Sequence, residues 1–547
     1  MAGHVFIVRG DLSSFACDAW LMPCDYRAKP SASFFPQGYS GPCAGDQFSE
    51  AGPRTQRFAG WPNRWPQPWL TNTGGVNDQQ LDWYMQAVGE FLNEAVQEVS
   101  TSGYSPRYRR ARRLLAMPVI GTGTGGAAER AGEVMQALLP ILGKFVQTHD
   151  IDVAVVERDT VKHTAAQAER ARRFQDQGNC GAEELREDLR REAQCLAKKA
   201  LSGRLALFLG AGLSMAAGLP SWSDLLKELG KRAGMSEAEL QGLFSLENYL
   251  DQATYLERRL VSTTIGAAIR DIFDPLQAYA LGHALLAALP VHEVITTNYD
   301  QLFDNAWSLV DDNGVSILPG RIRPDTRRWL LKMHGCVSDP TRIVLTRASY
   351  LRYDENLPGL AGIVQAFHIT RHMLFVGFSL TDDNFHRLID DVQRIRSIAR
   401  AEGELGTVLM LFPDPVREVL WQRDLRLVTM ISRDEVDAAT KEIRARPKST
   451  LSEQEAHKLA EKELRPEAAR RLEILLDQVA FLARGSNHLL EGQRFEAVLT
   501  VGEKHLSKAL QEFVHQLDAT EVRNSVRETA AWPEVERMLI NLGYTPT

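Results

Sequence analysis

At 547 residues the chain is too long for one hydrophobic core and is expected to fold as about three or four domains. Its 44% apolar and 24% charged content is that of ordinary globular protein, and a net charge of −7 excludes a general attraction to nucleic acid or anionic membrane. No apolar run reaches the ~18 residues of a membrane span, and the six cysteines include no close-spaced pair of the C-x-x-C kind, so a disulfide framework and a tetrathiolate zinc site are not expected. A reducing cytoplasm fits this usage, and the N-terminal MAGHVFIVRGDLSS has no targeting pattern.

In residues 1–165, short apolar runs (VFIV, AWLM, LLAMPVI, VAVVE) alternate with glycine turns and helical stretches such as LDWYMQAVGEFLNEAVQEV, the pattern of an α/β domain. Between Ser31 and Gly75 a segment rich in Pro, Gly and Trp, with Trp61, Trp65 and Trp69, is too punctuated for regular structure and is expected to cover a pocket mouth. The basic run RYRRARR, Arg107 to Arg113, reads as a solvated approach to the strand LLAMPVI. Residues 166–200 form a charged helical connector broken at Gly178 to Gly181.

The region 201–435 opens with the buried-strand pattern RLALFLG, which runs into GAGLSMAAGLPSW, Gly210 to Trp222. A strand entering a glycine turn and then a helix offers bare amides and a partly positive helix end to a pyrophosphate. A mostly helical stretch, 224–290, precedes three further segments: ITTNYD (Ile295 to Asp300), KMHG (Lys332 to Gly335) and LFVGFSLTDDN (Leu374 to Asn384). From 436 to 547 the strand-like runs cease and amphipathic helical spacing takes over, as in ARRLEILLDQVAFLA and EKHLSKALQEFVHQL.

Taken singly, a histidine before glycine or an asparagine ending a strand is usually structural. Four segments in this order and spacing resemble the sirtuin family, and more closely its bacterial NAD-consuming defence branch than the protein deacylases. The resemblance covers roughly residues 195–435. It implies a Rossmann-like parallel sheet core, with NAD as substrate and no metal. Gly210, Ala211, Gly212 and Ser214 would take the phosphates, and Pro220, Trp222 and Thr297 would complete the dinucleotide site. Asn298 would orient ribose or water, and Asp300 would hold the loop or meet the nicotinamide amide. His334 would be the base, since imidazole titrates near ~6.5. Gly377 and Ser379 would meet the adenosine ribose. For Asp382 and Asn384, helix capping is at least as good an explanation as ligand contact.

The deacylase branch carries two cysteine pairs after the HG motif; here only Cys336 follows, so water rather than acyl-lysine is the expected acceptor. NAD glycohydrolase activity, triggered by phage infection to deplete NAD, is the expected function. Deacylase or ADP-ribosyltransferase activity is the alternative in the same chemistry, and a non-catalytic nucleotide-sensing or assembly scaffold the alternative of another class. In the N-terminal region VRGDLSSFACDAWLMPCD (Val8 to Asp25) with MPVIGTGTGG (Met117 to Gly126) resembles the macrodomain, which binds ADP-ribose, with Asp11 at the adenine position. That family's asparagine-rich stretch is replaced by Met22, Pro23, Cys24 and Asp25, so binding or scaffolding is expected rather than hydrolysis. Expected partners are therefore NAD, an ADP-ribose-type ligand, and a second copy of the chain or a defence or phage protein; no membrane is expected.

Overall fold

The computed structural model describes residues 2–544 except 51, 75–79, 102–107, 109, 178–182, 275–277, 311–313, 325, 353–357, 400–402, 448–449 and 519–524. The chain packs as two compact units, one of Met1–Pro106, Arg112–Glu184 and Ala480–Thr547, the other of Arg107–Ala111 and Leu185–Val479. The helical stretch expected over 436–547 is thus shared between the units. Its described residues hold helices and no strand, the longest helix being Glu453–Leu482.

The first unit is built on strands β1 Val5–Arg9, β2 Ala19–Cys24, β3 Thr55–Arg57, β4 Gln67–Asn72, β5 Arg113–Met117 and β6 Ile151–Glu157, in the order β1-β6-β5-β2-β4-β3. All neighbours run parallel except β3, which is antiparallel to β4. Strand β6 is buried along its whole length, as a parallel strand covered on both faces must be. The helix Ala131–Thr148 buries Val134, Leu138, Leu142 and Phe145 at helical spacing, and Phe495 and Val498 from Gly492–Val498 join the same core.

Two sequence expectations fail in this unit. The Trp-rich segment is not devoid of regular structure, because β3 and β4 lie within it. The run PWLTN buries five successive residues beside β2, and this burial outweighs the local Pro and Gly signals. Trp61 and Trp65 are buried in an aromatic cluster with Trp20, Tyr39 and Phe58. Nor is the basic run solvated at Arg112, which is buried against Asp150 and the carbonyl of Ala2. In the second unit, Arg110 is likewise buried, paired with Glu473 at 2.5 Å. Arg107, Arg109 and the break at Gly178 to Gly181 lie outside the described residues.

The second unit carries β7 Leu205–Leu209, β8 Glu293–Thr296, β9 Ser316–Leu318, β10 Trp329–Lys332, β11 His372–Val376, β12 Gly406–Met410 and β13 Leu425–Thr429. They form a wholly parallel sheet in the order β13-β12-β11-β7-β8-β10-β9, the Rossmann-like core expected from sequence. From β7 the chain goes to β8, then to the edge strand β9, and inserts β10 between those two before it returns to β11 on the other side of β7 and continues to β12 and β13. The loops leaving β7 and β11 therefore diverge, opening a crevice at the carboxyl ends of two adjacent strands, where ligands lodge in such sheets.

Candidate active site

The two loops that open the crevice are locked by glycine. Gly377, directly after β11, has φ +66°, and a Cβ there would stand 2.4 Å from the amide nitrogen of Leu213. A Cβ on Gly210 would stand 2.5 Å from the Gly377 carbonyl oxygen. The backbones cross with Gly210 N–H donating to Val376 O at 3.0 Å and Gly212 N–H to Gly377 O at 2.9 Å. These glycines thus serve a loop-to-loop crossing as well as any close approach of a ligand.

A cleft of about 830 Å³ opens over this crossing. It is lined by Ala211, Gly212, Ser214, Pro220 and Trp222, and by Thr297, Asn298, Asp300, His334, Gly377 and Ser379. Of the residues assigned to the dinucleotide and catalytic positions, Gly210 alone is not in the lining, and its carbonyl accepts a hydrogen bond from Asn298. The structure therefore brings residues 210–222, 297–300, 334 and 377–379 to one place because all follow the carboxyl ends of β7, β8, β10 and β11.

Asn298 is held by a buried polar relay. His283, fully buried in Leu281–Ala287, accepts the Ala280 N–H on Nδ1 at 3.2 Å, which leaves its proton on Nε2, 3.3 Å from Ser214 Oγ. Burial pushes this imidazole down to about 4, against the opposing charge of Asp300, so it is neutral at physiological pH. Ser214 Oγ gives its one hydrogen to Asp300 Oδ2 at 2.8 Å and accepts from Asn298 Nδ2 at 3.2 Å. Asn298 Nδ2 spends its second hydrogen on Gly210 O at 3.2 Å. Both amide hydrogens are therefore used, and Oδ1 is buried without a partner among the described residues. An orphaned buried acceptor in a polar cleft is an invitation to a hydroxyl or water. Asp300 Oδ1 meanwhile accepts from Leu302 N–H at 2.9 Å and fixes the turn that follows.

His334 follows β10 and is 3% exposed, with Nε2 3.5 Å from Asp382 Oδ2. Burial holds the imidazole below its ordinary value, and Asp382 opposes the fall. Asp382 performs both functions that its position allows: Oδ1 accepts Phe385 N–H at 3.0 Å at the start of the Asp383–Ala399 helix, and Oδ2 accepts the Tyr350 hydroxyl at 2.9 Å. The side chain of Asn384 lies outside the described residues. Neither Tyr350 nor His283 was among the residues expected from the sequence. Beneath the site, Lys332 and Asp304 form a buried ion pair at 3.0 Å, and the Lys332 ammonium also donates to Asp300 O.

Three residues from beyond the sheet also line the cleft: His457, Glu461 and Arg465 of the Glu453–Leu482 helix. Their i, i+4, i+8 spacing places them on one helix face, a signal visible in the sequence only once that helix is known to lie there.

The first unit has its own cavity, about 550 Å³, at the carboxyl ends of β1, β2, β4, β5 and β6. Its lining includes the glycine loop Gly121–Gly125, Asp11, Glu157 and Lys162, with Phe34 from the Trp-rich segment. Asp11 is committed to an ion pair with Arg158 and to Ser13 N–H at 3.0 Å. Glu157 is buried and accepts Val119 N–H at 2.5 Å, and burial pushes its carboxyl up to about 7.

Residues 292–424 match the SIR2-like domain family. The chain is 29% identical over 198 residues to NAD(+) hydrolase ThsA of Enterococcus faecium, covering 35% of this chain and 40% of that protein. It is 29% identical over 204 residues to NAD(+) hydrolase ThsA of Bacillus cereus, covering 36% and 41%. Defense-associated sirtuin 2 of Bacillus subtilis is 27% identical over 201 residues, 36% of this chain and 20% of that protein. The alignments thus span about two fifths of the ThsA relatives and one fifth of the defence sirtuin. Among the described residues no helix is long and apolar enough to cross a membrane. The parallel sheet, the glycine crossing at its switch point and these likenesses agree: the chain carries a SIR2-like domain, homologous to NAD(+) hydrolase ThsA and to a defence-associated sirtuin.

Proposed function

We propose that the second-unit cleft hydrolyses NAD to nicotinamide and ADP-ribose. The observation that carries this reading is the orphaned Asn298 Oδ1 in the same cleft as the buried, neutral-leaning imidazole of His334. The C–N bond between ribose and the pyridinium breaks with its electron pair going to the ring nitrogen, so nicotinamide leaves neutral and the sugar becomes oxocarbenium-like. Asn298 holds the ribose hydroxyl or the attacking water, and His334 takes the proton that water gives up as it bonds to the sugar. The turn at Ala211 receives the diphosphate, Gly212 N–H being held by Gly377 O, and Ser379 serves the adenosine side. Ser214 and Asp300 act through Asn298 and position it.

The test is nicotinamide release from NAD by the full chain. Asn298→Ala and His334→Ala are each expected to lose roughly 10²-fold or more with the fold intact by circular dichroism. Full turnover in both variants overturns the assignment, and NAD binding without turnover under every condition tried favours a nucleotide-sensing scaffold. Release of ADP-ribose with no acyl or protein acceptor separates this activity from deacylation and ADP-ribosyl transfer.

By the likeness to defence proteins, NAD depletion on phage infection is the biological role we assign, with the flanking regions restraining it until that signal and a second copy of the chain or a defence or phage protein as its partner. The first-unit cavity is the place for a regulatory ADP-ribose-type ligand, its diphosphate on the Gly121–Gly125 loop near Lys162. Calorimetry with ADP-ribose measures this, and no heat of binding removes it.

A further inference from the structure

The cleft runs well past the atoms that cleavage requires. Beyond Gly377 and Ser379 its wall is made by residues 409–417, which run from the end of β12 through a loop into the Pro415–Trp421 helix, and by one face of the Glu453–Leu482 helix. The two ends differ in chemistry. The Asn298 and His334 end is a polar relay, whereas the far end combines apolar Leu409, Leu411 and Phe412 with two arginines, Arg417, which is paired with Asp414 at 3.4 Å, and Arg465. Phe412 is buried, Arg465 is exposed, and the Arg465 guanidinium lies 5.6 Å from the Phe412 ring centroid. Arg465 makes no ion pair among the described residues; Glu461, four residues before it on the same face, stands 3.7 Å from His457 Nε2. An aromatic floor with a planar cation beside it suits the face of a flat, uncharged heterocycle, which can stack on both.

We propose that Arg465, held at Phe412, is the adenine-recognition residue of this cleft and makes the enzyme specific for the full dinucleotide. This rests on the NAD-cleaving reading above and extends it to the substrate's distal half. When the base lies along Leu411 and Phe412, the guanidinium closes over its outer face, exchanging solvent for a stacked partner. The helix after the sheet is then a working wall of the cleft, and a substrate lacking the adenosine half gains nothing from it.

The test uses the full chain with His334→Ala, so that substrate is bound and not consumed, and compares NAD with nicotinamide mononucleotide by calorimetry. Adding Arg465→Ala is expected to weaken NAD roughly tenfold, the worth of one base stack, and to leave the mononucleotide unchanged. Arg465→Lys, which keeps the charge and loses the plane, is expected to stay weak. Equal weakening of both ligands, or of neither, overturns the assignment, as does full recovery by lysine. Absence of NAD binding in the parent chain instead sinks the NAD-cleaving reading itself, so the two failures are distinguishable.

Discussion

At the scale of single residues, the site separates groups that face the cleft from groups that aim them. Asp382 is the sharpest case, because one carboxylate caps a helix with Oδ1 while Oδ2 stands beside His334 and takes the Tyr350 hydroxyl. Its charge is what opposes the burial that depresses His334. Asn is as good an N-cap as Asp, so Asp382→Asn keeps the helix start through Oδ1 and removes the charge together with the acceptor of the Tyr350 hydroxyl. His334 then loses its stabilised cationic form and its pKa falls further. Since the base must be neutral to work, the acid limb of the NAD-cleavage profile is expected to move to lower pH, with a reduced rate at neutral pH. An unmoved acid limb would show that Asp382 does not act through His334. The sequence made capping and ligand contact alternatives at Asp382; the fold shows the capping, and Tyr350 and His334, far from it in the chain, meet at its second oxygen.

Among elements, β10 and the Leu302–Ser308 helix are tied by the Lys332–Asp304 pair, with Lys332 1% and Asp304 6% exposed on their side chains. Removing one partner strands the other charge away from water. Lys332→Met is therefore expected to cost about 3–5 kcal/mol in urea unfolding, and Lys332→Met with Asp304→Leu to recover most of it, since a buried pair is often replaceable by apolar volume. If the double variant is no more stable than the single, the pair contributes more than its own desolvation. These elements also mark what was legible beforehand. The strands β7, β8 and β11 were readable because parallel strands buried on both faces are continuous apolar runs, and Gly210 and Gly377 were readable because a glycine after such a run marks a turn. Strands β3 and β4 were hidden because Pro66, Pro68 and Trp69 read as loop until β2 is alongside. The cleft-facing side of Glu453–Leu482 was hidden for the same reason: charged residues four apart look like a solvated face unless the opposing surface is known.

On the scale of the whole molecule, the two units store opposite responses to acid. In the second unit His283, His368 and His372 are pushed down by burial to about 4, and their unfolded value is near ~6.5. A depressed folded-state value means stability that is complete above pH ~6.5 and is lost as pH falls toward 4, because the unfolded chain takes up protons that the folded chain refuses. Glu192 and Asp304, raised by burial against the pull of Arg426 and Lys332 respectively, oppose this in part. In the first unit Glu157 is raised to about 7, so the folded form holds a proton that the unfolded carboxylate gives up; its contribution is complete below pH ~4.5 and is lost as pH rises through 7. His488, pushed down to about 4, offsets it there. Calorimetric melting of the full chain at pH 7.5 and pH 5 is therefore expected to lower the second-unit transition and to move the first-unit transition little. Glu157→Gln removes the compensating carboxyl and leaves His488 unopposed, so the first-unit transition of that variant should now fall on acidification as well. A first-unit transition whose pH dependence is the same with Glu or Gln at 157 would mean that this carboxyl is not protonated in the folded state, and that the cavity it lines presents a fixed negative charge to its ligand.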